Sequence, residues 1–92
     1  MPVIFFIMLL LHATGDRIGF LSHTSKHLLE AILATLHCGA VAVPINTRWT
    51  KQEINSAVQK CRPAMIICEA ALLYLAADVQ LACRIFTFVS NS

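Results

Sequence analysis

Three short apolar runs, RIGFLS (17–22), AVAVPI (40–45) and AMIICE (64–69), are separated by two segments of helical periodicity. No other feature limits the possible folds so tightly. Parallel neighbours in a sheet need a crossover between them, and a helix is the usual one. Strand, helix, strand, helix, strand with short connections therefore builds an α/β unit on an open, largely parallel sheet, with right-handed crossovers expected.

The boundaries carry their own signals. SKHLLEAILATLHC (25–38) places Leu28, Leu29, Ile32, Leu33 and Leu36 on one helical face and His27, Glu30, Ala34 and His37 on the other. Gly39 suits the left-handed position that closes a helix. In AVAVPI the apolar residues are continuous, as in a strand buried on both faces, and Pro44, without an N–H, belongs near its end. WTKQEI (49–54) holds a T-x-x-E capping box, Thr50 with Glu53, and Trp49 and Ile54 are spaced as a hydrophobic staple around it. Ile54, Ala57, Val58 and Cys61 form the apolar stripe that follows, and Pro63 forbids continuation. ALLYLAADVQ (71–80) reads as a third helix and RIFTFV (84–89) as a fourth strand.

Composition decides what surrounds this unit. The 92 residues suffice for one small domain. Hydrophobic residues make up 58% and charged residues only 13%, against roughly 25% charged in ordinary soluble domains. A domain of this size buries only about 60–65% of its unfolded surface. The apolar excess must meet lipid or more protein. The run Val3–Leu11 is far short of the ~20 residues that span a bilayer. It also lacks the basic flank and cleavage site of a signal peptide. Residues 1–14 are read as an apolar leader, with no membrane span.

Net charge is +2, with seven basic residues scattered among five acids, so no basic stripe exists for nucleic acid. Cys38, Cys61, Cys68 and Cys83 form no C-x-x-C pair and sit in apolar stretches. They read as reduced, core-type thiols of an intracellular, reducing compartment rather than zinc ligands.

In open α/β sheets ligands sit beyond the carboxyl ends of the strands. Those ends are Ser22-His23-Thr24, Asn46-Thr47-Arg48 and Glu69. Arg48 has the forked guanidinium that grips carboxylates and phosphates, yet no Gly-rich loop accompanies it. Asn46 and Arg48 are therefore read as satisfying the corner. His23, His27 and Glu30 follow metal-like i, i+4, i+7 spacing, but His23 precedes the expected N-cap Ser25, so the three read as a solvated face. Neither G-x-S-x-G, G-x-x-x-x-G-K-[ST] nor G-x-G-x-x-G is present. No residue is assigned as catalytic, cofactor-binding or metal-binding.

Residues 15–69 resemble the AMP-forming acyl-CoA synthetases, the adenylate-forming, AMP-binding enzyme family. GDRIGFLS carries the likeness, followed by EAILATLHCGAVAVPINTRWT and then Glu53. PINTRW is nearer the acyl-CoA ligase branch than peptide-synthetase adenylation domains. Residues 70–92 follow loosely and residues 1–14 do not. Lys26-His27 stands where Pro-Glu is common, and Thr24 where Asn is usual.

The resemblance implies a βαβαβ layer from the N-terminal domain of a ligase. Such ligases use ATP and Mg²⁺ to turn a carboxylate into an acyl-adenylate, then transfer it to CoA. Their phosphate loop, adenine and Mg²⁺ motifs and catalytic-lysine domain lie beyond the matched segment. Residues 15–92 are thus expected to be a truncated α/β segment of an AMP-binding domain, inactive alone, without cofactors of its own. It would be partnered by the remaining synthetase domain or by itself through apolar surface. The alternative is a small non-catalytic interaction protein that binds a full-length synthetase or lipid through that surface.

Overall fold

The computed structural model describes residues 15–79 and 83–89; the leader 1–14 and Gln80 of the expected third helix lie outside them. Four strands, β1 (Arg17–Leu21), β2 (Val41–Pro44), β3 (Met65–Glu69) and β4 (Arg84–Phe88), form one sheet in the order β2-β1-β3-β4. All three pairings are parallel, with Ile18 opposite Ala42 on one side and Met65 on the other. Helices α1 (Lys26–His37) and α2 (Lys51–Cys61) are the crossovers, and a 3-10 helix spans Ala70–Ala76.

Helix ends follow their local chemistry. The Ser25 side chain accepts from Leu28 N at 3.1 Å and starts α1. At its other end Ala40 N donates to Thr35 O and Gly39 N to Leu36 O, both 3.1 Å. Gly39 has φ 81°, the left-handed value that this closing motif requires and that glycine adopts without a Cβ penalty. The capping box of α2 forms as expected: Thr50 Oγ1 accepts from Glu53 N (3.2 Å) and Glu53 Oε1 from Thr50 N (2.9 Å). Arg62 turns left-handed (φ 50°) just before Pro63.

Alternate residues of the strands feed two cores. Ile18, Phe20, Met65 and Ile67 pack with Ala31 and Ala34 of α1. Leu21, Ile66 and Cys68 pack with Ile54 and Val58 of α2 and with Leu72 and Leu75 of the 3-10 helix. The sheet is therefore sandwiched, with α1 on one face and α2 on the other.

Three expectations are corrected. First, α1 presents its alanine side to the sheet: Ala31, Ala34 and Thr35 are buried, while Leu29, Leu33 and Leu36 are 58%, 56% and 58% exposed. Small side chains let the helix lie close on the strands, and the leucines are left on its outer side. Second, β2 is an edge strand with Val41 and Pro44 exposed. Ile45 N donates inward to Phe20 O, so by alternation the Pro44 nitrogen faces outward, where a missing donor costs nothing. Third, residues 70–76 form a 3-10 helix. Its three-residue turn aligns Leu72 and Leu75 toward the sheet. Ile54 enters the core, and Trp49 lines a space with Ala57 and Cys61 at the side of α2.

Candidate functional site

From β1 the chain crosses to β2 on one side, then returns to β3 on the other, so strand order reverses between β1 and β3. The crevice beyond their carboxyl ends is where an open α/β sheet takes ligands. Ser22, His23 and Glu69 occupy it. The Ser22 hydroxyl lies 3.2 Å from Glu69 Oε1 and 2.8 Å from the His23 carbonyl, its two acceptors. His23 N donates to the same Oε1 at 3.2 Å. One half-buried carboxylate thus ties the ends of the two central strands together.

That arrangement has clear chemical consequences. Ser22 donates its proton to a carboxylate and a carbonyl, and His23 offers its backbone N–H, so no nucleophile–base pair is formed there. Glu69 brings negative charge to the place where a phosphate would enter. Among the described residues no group of three or more His, Cys, Asp or Glu can hold a metal ion.

At the end of β2, Asn46 Oδ1 accepts from Arg48 N at 2.9 Å and Asn46 O from Trp49 N at 3.2 Å. Both groups of Asn46 are used by the corner, an Asx turn, and Arg48 is exposed. The structure does not bring Asn46, Arg48 and Glu69 into one hydrogen-bonded cluster.

His23 precedes α1, as expected from Ser25. His27, expected on a solvated face, is half-buried instead, its ring edge-on to Phe88 with centroids 6.2 Å apart. Its Nδ1 is buried without a hydrogen-bond partner. This inversion follows from the rotation of α1 described above.

No disulfide joins Cys38, Cys61, Cys68 and Cys83. Burial, aided by the Glu69 charge, pushes the Cys68 thiol up to about 11, and burial also raises Cys83. Neither is a thiolate near neutral pH, so neither is a ready nucleophile. Among the described residues no helix is long and apolar enough to cross a membrane.

Two features were not legible in the sequence: the exposed leucine face of α1 and a cavity beside Trp49.

Comparison with known proteins gives a consistent result. Residues 8–89 match the AMP-binding enzyme family. The chain is 37% identical over 59 residues to Fumosorinone synthetase of Cordyceps fumosorosea, covering 64% of this chain and 1% of that protein. It is 36% identical over 61 residues to the 3-hydroxybenzoate–CoA/4-hydroxybenzoate–CoA ligase of Thauera aromatica, covering 66% of this chain and 12% of the ligase. The fold superposes on the Brucella canis acyl-CoA synthetase with a TM-score of 0.86 at 19% identity, covering 98% of this chain and 17% of that one. The chain thus spans a small part of the proteins it matches.

Proposed function

The chain belongs to the AMP-binding enzyme family, and from that premise we propose that it is one scaffold layer of an ATP-dependent, AMP-forming acyl-CoA ligase. In this reading the parent enzyme converts a carboxylate to an acyl-adenylate and then to an acyl-CoA. ATP, Mg²⁺ and CoA are held by residues outside these 92, and the chain alone is inactive. The observation that carries the reading is the reversal point between β1 and β3. There Glu69 holds Ser22 and the His23 N–H, so these groups are spent on tying β1 to β3.

The exposed leucines of α1 supply the second support. Leu29, Leu33 and Leu36 recur at i, i+4, i+7, the spacing of a helix seam that packs on another element. The remaining domain of the ligase is the partner proposed for this seam. Four cysteines that form no disulfide accord with a reducing compartment.

Two measurements test the reading. ATP–pyrophosphate exchange by the 92-residue chain, offered a panel of carboxylates, is expected to stay at background; exchange above it overturns the proposal. A chimera of the Thauera aromatica ligase, with residues 15–89 in place of its matching segment, is expected to keep CoA-ligase activity. A folded but inactive chimera would argue against interchangeable scaffold.

A further inference from the structure

On the sheet face covered by α2, Gly19 of β1 and Ala57 of α2 line the same space. It is a cavity of ≈ 100 Å³ walled by Val43, Ile45 and Cys61, with Trp49 also on its lining. Trp49 is 37% exposed. Gly19 cannot close the space cheaply. A Cβ there would stand 3.3 Å from both Ile45 Cδ1 and Ile66 Cγ1.

The lining carries no charged side chain, and its polar side-chain atoms are the Trp49 indole N–H and the weak Cys61 thiol. A water needs two to four polar partners to stay in such a place, and these side chains supply few of them. The cavity walls lack dispersion partners on the open side, and an apolar guest supplies them. The Trp49 ring and the Cys61 sulfur both favour contact with an aromatic face or edge.

We propose that the cavity beside Trp49 is a binding site for a compact apolar ligand, an aromatic or branched hydrocarbon. The size follows by comparison with larger apolar cavities that admit benzene. A volume of ≈ 100 Å³ holds about four to six carbon atoms at interior packing density. The site lies on the opposite face of the sheet from the leucine seam of α1 and does not depend on the ligase reading.

Trp49 is the chain's single tryptophan, so its fluorescence reports the site directly. Titration of the full chain with benzene is expected to give a saturable change with a midpoint on the order of 1 mM. Ala57→Leu, which grows into the cavity, abolishes it, and Leu33→Gln on the far side of the sheet leaves it intact. Should Ala57→Leu fail to fold, NOEs from benzene protons to the Ala57 and Val43 methyls of the unaltered chain decide the matter. A non-saturating change, equal responses from Ala57→Leu and the unaltered chain, or absent NOEs overturns the proposal.

Discussion

Deleting similar apolar bulk from two faces of this fold should have very different consequences. Ile54 is 1% exposed and packed among Leu21, Ile45, Val58 and Ile66. Ile54→Ala removes that contact and leaves a void, at a cost of about 3–4 kcal/mol. Leu33 is 56% exposed on the outer side of α1, so less than half of the value of a buried leucine is at stake, about 1 kcal/mol. Gln has nearly the helix propensity of Leu, which adds little. A domain of this length has about 5–14 kcal/mol of stability in all, so the two variants are readily separated. Urea unfolding followed by far-UV circular dichroism measures the difference, and light scattering on the same samples measures self-association. Leu33→Gln is expected to shift the midpoint slightly and raise the concentration at which the chain associates. A Leu33→Gln loss as large as that of Ile54→Ala would refute the assignment of α1's outer face.

The other predictions concern single groups. Thr50→Ala removes the acceptor for Glu53 N and should lower stability by about 1 kcal/mol, checked by the same unfolding curves. His27→Phe replaces a ring whose buried Nδ1 has no partner and keeps the contact with Phe88. A gain of about 1–2 kcal/mol is expected, and a loss would mean that the nitrogen is satisfied in solution. The Cys68 thiol, ordinarily near 9.0, is raised to about 11 by burial and then by Glu69. Its folded form holds the proton more tightly, so its contribution is complete below about pH 9 and fades as pH rises toward 11. Cys68→Val should flatten that part of the stability–pH curve.

Much of the fold can be read from the chain because boundaries and periods agree. Thr50 and Glu53 mark the start of α2, Gly39 ends α1, and three apolar runs of strand length alternate with the helices. The rotation of α1 was not legible, since Leu29, Leu33 and Leu36 compete with Ala31 and Ala34 for the sheet. Close approach of the backbone, rather than hydrophobicity, decided in favour of the alanines. The edge position of β2 is a property of strand order, which its own residues do not encode, although Pro44 tolerates it. The 3-10 turn at 70–76 has the composition of an α-helix and differs only in the spacing of Leu72 and Leu75.

At the candidate site the three strand ends could be named from sequence, and the corner role of Asn46 followed from its residue type. The tie from Glu69 to Ser22 and His23 joins residues 46–47 positions apart. Only the parallel pairing of β1 with β3 brings them together. His27 shows the same dependence on tertiary structure, since its burial follows from the orientation of α1 against β4.

The central claim is that these residues are a scaffold layer of a larger adenylate-forming ligase. An immunoblot of native extract from the source organism, using an antibody against residues 39–60, tests it most directly. The account predicts a single band several times heavier than the 10.1 kDa of the 92 residues. A discrete band near that mass, with nothing larger, would contradict it.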